Sequence, residues 1–454
     1  MNARAQKKRI PGHLHVHIDR ADGPKHIGEL VIDDEAPGGF AAKFRYAKSW
    51  LATGFPIDPI NLPLQAGWVH TSSKYISLGV LFDAGPDMWG RRVLQNAQDG
   101  QDPGSGTPQS ESGLLVLGRG NGVGALLFSE SEHLRRSDLP SMDTLPTIEH
   151  DLVRVHEAAH SIFSSDPLPS HLQGLLAGSW SIGGARAKAV MRTTSGEIWI
   201  AKFSEPGDRF DRQRCELANM RMAENIGIQV APCRVVDTAL GSVFLIKRFD
   251  RSSELQRLHY ASAISLISAE PEDKRLLSAV DRATFSYARI ADIISRVSPD
   301  PQMERIELFA RMVLNIEVRN TDDHLKNTGF IEVPARPGAQ QLSMRLTPLF
   351  DVVTQPSAQH YLQIGKEGRV GSVRNAMSDV RRFRLTEKGA QSIVDRVTAT
   401  VSRREDFYRE VGLGHSDIIR LNALIEPRCP ATVGSPAELA DEYPETIDSE
   451  SPKP

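Results

Sequence analysis

Two adjacent carboxylates, an imidazole, an ammonium and two carboxamides are packed into the eight residues Asn320-Thr321-Asp322-Asp323-His324-Leu325-Lys326-Asn327. Phosphoryl transfer uses such a set: a carboxylate accepts the proton of the attacking hydroxyl, and an Asn five residues on helps to hold a divalent cation. Asp322 and Asn327 have that spacing. A second cation-binding acid often follows the next hairpin, and Asp351 stands there after Leu346-Thr347-Pro348-Leu349-Phe350. A solvated loop rich in Asx turns would draw on the same residue types. The density of the cluster and the later acid weigh against it.

Elements on both sides must hold this loop. Ile306, Phe309, Ala310, Val313, Leu314 and Ile316 recur near helical spacing and predict a helix over 304–318, while Gly329-Phe330-Ile331 reads as a strand. Farther upstream, Ser181-Ile182-Gly183-Gly184 runs into a strand that begins at Lys188. It returns through Ser195-Gly196 as the strand 197–203, which carries Lys202. The glycines lie too close to the Lys for a Walker A loop, but Gly183 and Gly184 let backbone N–H groups approach a phosphate. A helix over 212–226, stopped by Gly227, puts Glu216 near its start as a partner for Lys202. The strand 241–246 then leads into Lys247-Arg248-Phe249.

Residues 320–327 resemble the catalytic loop of HipA-type serine/threonine kinases, the toxin half of bacterial toxin–antitoxin pairs, and more loosely the Asp-x-His-x-x-Asn pattern of aminoglycoside, choline and phosphoinositide kinases. That resemblance implies an α+β fold: a small β-rich N-terminal domain, then a bilobal protein-kinase-like domain with a mainly helical C-terminal lobe. The expected division is a basic arm at 1–12, the N-terminal domain at 13–135, a linker at 136–150, and the kinase domain at 151–425. Within the last, the small lobe covers about 176–250 and the large lobe about 251–425; an acidic tail at 426–454 is expected to be disordered. The resemblance further implies ATP and Mg²⁺ as cofactors, with Lys202, Glu216, Lys188, Gly183 and Gly184 at the phosphates. The backbone of Lys247, Arg248 and Phe249 falls at the adenine, Asn327 and Asp351 on the cation, and Ser181 at an autophosphorylation site that switches the enzyme off. Asp322 is the expected base, Lys326 offsets charge on the transferring phosphate, and His324 orients the loop. The implied partners are a protein substrate of the aminoacyl-tRNA synthetase class, such as the glutamate enzyme, and a helix-turn-helix antitoxin of HipB type through which DNA is met only indirectly.

Bulk properties narrow the alternatives. A net charge of −3 with 24% charged residues carries no signature of direct nucleic-acid reading. Cys215, Cys233 and Cys429 are too few and too scattered for a disulfide framework or structural zinc, which fits a cytoplasmic protein, and no apolar run is long enough to span a membrane. His13, His15 and His17 alternate with Leu14, Val16 and Ile18, as in a strand whose His face is wet or, less commonly, binds a metal. Pro86-Asp87-Met88-Trp89-Gly90-Arg91 reads as a capped helix start with a structural role. The glycines of 118–124 form a turn and not a dinucleotide fingerprint, since no helix pattern follows them. His156-Glu157-Ala158-Ala159-His160 matches a zinc-protease pattern but has no third ligand at a suitable spacing. A nucleotide-binding regulatory or co-repressor module without transfer is the main alternative to a kinase.

Overall fold

In a computed structural model, the described residues are 12–34, 36, 41–71, 78–86, 88–99, 110–118, 122–162, 175–176, 186–252, 254, 256–267, 285–333, 342–357 and 359–426. Helix and strand are mixed, with the sheets concentrated in the first half and helices dominating the second, as the α+β expectation requires.

The N-terminal sheet is antiparallel, in the order β4-β3-β2-β1-β5, from β1 (Gly12–Arg20), β2 (Gly23–Asp33), β3 (Ala41–Tyr46), β4 (Val69–Thr71) and β5 (Leu126–Ser129). Leu14, Val16 and Ile18 are buried on one face of β1, as the alternation predicts. The His face is not uniformly wet. Val16 pairs with Gly28 and His17 with His26, so Ile27 is an extra residue on β2 and bulges the pair. His17 is buried, its Nε2 3.0 Å from the Glu132 carbonyl oxygen, and its ring lies against His26. Among the described residues no three His, Cys, Asp or Glu side chains are placed to hold a metal ion.

The helix Met88–Asp99 starts after Pro86, so the proline precedes the first turn; Asp87 lies outside the described residues. Trp89 is wholly buried and its Nε1 donates to the Lys188 carbonyl at 2.8 Å, joining the N-terminal domain to the core of the next lobe. This helix includes the polar residues Gln98 and Asp99. It runs to Asp99 and resumes at Glu111–Leu117 behind a Ser110 cap, whose Oγ accepts from Gly113 N.

The second sheet, in the order β6-β7-β9-β8, contains β6 (Lys188–Arg192), β7 (Ile198–Phe203), β8 (Cys233–Thr238) and β9 (Gly241–Lys247). Gly196 turns β6 into β7 with φ +92°, a conformation that favours glycine. Behind this sheet runs the helix Arg212–Ile226, with Asp211 accepting from Arg214 N at its start and Gly227 in the left-handed region at its end. The large lobe, expected to be mainly helical, first makes β10 (Tyr260–Ser262). This strand pairs with β11 (Gly329–Val333), which pairs in turn with β12 (Ser343–Leu346). The large lobe is otherwise helical, built on Tyr287–Val297, Pro301–Glu317, Glu387–Val401, Arg404–Glu410 and His415–Ile425. Asp300 caps the second of these ahead of Pro301, whose missing N–H costs nothing at a first turn. One continuous apolar core runs from the N-terminal sheet into this lobe. No helix among the described residues is long and apolar enough to cross a membrane.

Candidate active site

Lys202 lies on β7 directly opposite Lys188 on β6. Its Nζ donates to Glu216 Oε1 at 2.7 Å and to Asp351 Oδ1 at 2.8 Å. Glu216 reaches it from the buried side of the helix Arg212–Ile226, and the same Oε1 accepts the Asp351 backbone N–H at 3.2 Å. One carboxylate thus orients both the lysine and the chain that carries the second acid. Asn219, a turn further along, donates to Val352 O at 3.0 Å and holds the other side of Asp351. Asp351 has φ +61°, a left-handed backbone that an acidic residue adopts at a cost of about 1–3 kcal/mol. Such strain persists only where the surroundings impose it, here through Glu216 and Asn219.

The electrostatics follow from this packing. Burial acts against the charged form of Lys202, but Asp351 and Glu216 outweigh it and the ammonium's pKa is raised. Burial also opposes ionisation of Asp351, and Lys202, with smaller contributions from Lys188 and His324, overcomes it, so this carboxylate lies below its ordinary range. For Glu216 burial prevails and the pKa is raised.

The loop 320–327 leaves the helix Pro301–Glu317 through Arg319, at φ +53°, and is tied back at once. Asn320 N donates to Asn315 O, and Asn320 Nδ2 to Asn315 Oδ1. The two aspartates then part. Asp323, its side chain 2% exposed, accepts from Tyr287 Oη at 2.7 Å and from Tyr361 N at 2.9 Å, with His360 Nδ1 at 3.1 Å. Asp322 is 58% exposed, and its Oδ1 lies 4.0 Å from His324 Nε2. Asp323 therefore builds the loop, and Asp322 is the carboxylate a substrate can reach. Partial withdrawal from water raises the Asp322 pKa; His324 opposes this, while Asp351 and Asp323 add to it. His324 packs edge-on against Tyr361, which sets its ring beside Asp322. Lys326 is exposed, with its charge in reach of Asp83 from the N-terminal domain.

Asn327 sits on a short 3₁₀ turn, Leu325–Asn327, and donates its Nδ2 to the Asp322 carbonyl at 2.8 Å. The bond commits the amide nitrogen and leaves the amide oxygen as the donor atom for a cation. Asp351 likewise keeps Oδ2 while Oδ1 faces Lys202. One carboxylate and one amide oxygen suit Mg²⁺, which commonly retains waters and takes substrate phosphates as its other ligands.

Not every expected residue joins this cluster. Lys247 Nζ pairs with Glu197 at 2.6 Å, and its backbone N–H donates to Pro232 O. The Arg248 N–H donates to Ile198 O, and its buried guanidinium bonds Asp250 and the Gly122 carbonyl. Those two side chains fasten the sheet and the domain junction, so any contact with the nucleotide is left to the backbone. Phe249 does approach the site, with its ring 5.5 Å from Phe350, next to Asp351. Ser181, Gly183 and Gly184 lie outside the described residues. His156, of the zinc-protease pattern, is wholly buried, stacked on Phe203, with Nδ1 2.9 Å from Thr238 Oγ1; burial pushes its pKa down to about 4. It is a core histidine. Sequence reasoning missed Asn219, Tyr287, Asn315 and His360, because no short motif links them to the loop they support.

Comparison with known proteins gives a domain match, a related sequence and a shared fold. Residues 180–404 match the HipA-like C-terminal domain family. The Sinorhizobium fredii protein named "Putative kinase Y4mE" is 26% identical over 350 residues, covering 72% of this chain and 74% of that one. A chain of the Shewanella oneidensis MR-1 toxin–antitoxin complex of HipA, HipB and operator DNA shares the fold, with a TM-score of 0.64 at 17% identity over 91% of this chain and 95% of that one. Over residues 180–404 the chain carries a HipA-like C-terminal domain, and its fold as a whole is that of HipA.

Proposed function

We propose that this chain is a Mg²⁺-dependent serine/threonine protein kinase that moves the γ-phosphate of ATP to a hydroxyl of a protein substrate. The observation that carries the reading is Lys202 held between Glu216 and Asp351, with Asp322 the exposed carboxylate of the neighbouring loop. Lys202 orients the phosphates, and Asn327 and Asp351 hold the cation. Asp322 accepts the hydroxyl proton as the new O–P bond forms and the bond to the leaving ADP oxygen breaks. When bound, Mg²⁺ neutralises charge on the phosphate oxygens. With a loose transition state the protein's task is mainly to position groups and balance charge. Lys326 and His324 serve that task at the loop.

The substrate class implied by the family likeness is an aminoacyl-tRNA synthetase, and the effect is inhibition of growth in the cytoplasm. Autophosphorylation at Ser181 is the off switch. The similar Shewanella assembly, which contains HipB and operator DNA, supports an antitoxin of HipB type as partner, with DNA met through it.

Incubation of the purified chain with labelled Mg-ATP, followed by mass spectrometry of the chain and of an added panel of synthetases, tests this reading. Phosphate on Ser181 or on a synthetase is the expected result. Nucleotide binding with no transfer to either would instead favour a regulatory module. Excess EDTA is expected to bring incorporation to background, and Mg²⁺ to restore it. Lys202→Met removes a charge-assisted hydrogen bond of about 1.5–3 kcal/mol to the phosphates, so calorimetry should find ATP bound about 10–100-fold more weakly.

A further inference from the structure

We propose that Asp83 of the N-terminal domain is a positioning residue for the cation-binding end of the loop 320–327, so that the N-terminal domain completes the site. The inference rests on the kinase reading above.

Asp83 follows the short helix Gly79–Phe82. Its Oδ2 accepts the Ser262 N–H at 2.8 Å and its Oδ1 accepts the Ser262 Oγ–H at 2.7 Å. Ser262 ends β10 opposite Gly329, the first residue of β11. One residue on, Ala263 N donates to the Thr328 carbonyl at 2.8 Å, and Thr328 directly follows Asn327. Two consecutive residues thus link the Asp83 carboxylate to the peptide beside the cation-binding Asn. Asp83 also faces Lys326: burial raises its pKa, Ser262 and Ser265 lower it through hydrogen bonds, and Lys326 lowers it further.

The contact between the domains is close. A Cβ on Gly79 would lie 2.8 Å from Ser265 Oγ and 3.0 Å from its Cα, so a larger residue would push the two apart. A second attachment between the domains uses the Ser265 backbone and not the Asp83 carboxylate: Asn61 Nδ2 donates to Ser265 O at 2.9 Å and to Asp58 Oδ2 at 3.1 Å. Asn61 can therefore be removed without touching the Asp83–Ser262 pair. Asp83→Asn keeps the shape, but it removes the charge facing Lys326 and one of the two acceptors offered to Ser262.

Groups that orient the ligands of a metal are typically worth 10–100-fold in its affinity or in activity. The experiment uses the full chain with Mn²⁺ and a non-hydrolysable ATP analogue, cation affinity being read by electron paramagnetic resonance and loop order by hydrogen exchange. In Asp83→Asn, Mn²⁺ should bind about tenfold more weakly, and amides 326–329 should exchange faster. Asn61→Ala should stay within about twofold of wild type in both. An unchanged Mn²⁺ affinity in Asp83→Asn would overturn the proposal, as would an equal loss in Asn61→Ala, which would show domain docking in general at work. A wild type that binds the Mn²⁺–nucleotide but transfers no phosphate from Mg-ATP would overturn the kinase reading while the Mn²⁺ comparison still decides the role of Asp83. A wild type that binds no Mn²⁺–nucleotide overturns both.

Discussion

Asp322→Asn is expected to lower the phosphotransfer rate by about 10²–10⁴-fold, the usual worth of a positioned general base, with no measurable change in the thermal unfolding midpoint. The substitution keeps the shape and removes the ability to accept a proton. Stability should hold because the tie to Asn327 is made by the Asp322 backbone carbonyl, and the side chain is 58% exposed. Asp323→Asn provides the contrast. Its carboxylate is buried among Tyr287, His360 and the Tyr361 amide, so activity and stability should fall together. The check is initial rate beside circular-dichroism melting for both variants. If Asp322→Asn kept more than about a tenth of wild-type activity, the proton would have to leave by another route.

Asp250→Asn is expected to cost about 3–5 kcal/mol of stability, because it breaks a buried ion cluster from one side. The Asp250 carboxylate accepts from Arg248 Nε at 2.9 Å, Arg248 Nη2 at 2.7 Å, Arg251 Nη1 at 2.7 Å and the Gly124 N–H at 2.8 Å. Without its charge, the buried guanidinium groups of Arg248 and Arg251 lose the carboxylate they share, and nearby Arg257 loses an opposite charge. Burial alone would raise the Asp250 pKa, but Arg248 and Arg251 bring it well below the usual carboxylate range. A depressed native pKa stabilises the fold above the unfolded value of about 4, and that contribution is lost as pH falls toward the native value. Urea midpoints should therefore differ most between wild type and variant near neutral pH, and the gap should narrow below about pH 4. A gap that stays constant with pH would show that the charge of Asp250 is not its source.

The same cluster shows where sequence reasoning stops. Arg248 follows a predicted strand, as expected, yet its side chain belongs to the junction with the glycine turn at Gly122 and Gly124, far away in the chain. The buried His17 and Trp89 are similar cases, since each takes its hydrogen-bond partner from a segment remote in sequence.

What the sequence by itself determined is local: the hairpin turned by Gly196, the helix closed by Gly227, the inward side of β1, and the Asp322-to-Asn327 spacing. Each depends on backbone geometry or periodicity within a few residues, so neighbouring residue types are enough to specify it. General kinase chemistry offered Glu216 and Asp351 as candidates, and family likeness put Lys202 at the nucleotide. Only the tertiary structure decided that one ammonium lies between those two carboxylates, that Asp323 is enclosed while Asp322 is reachable, and that Asp83 touches the strand beside the loop. Those outcomes depend on which distant elements pack together, because burial and the available partners set the accessibility and charge of a side chain whose type alone leaves both open.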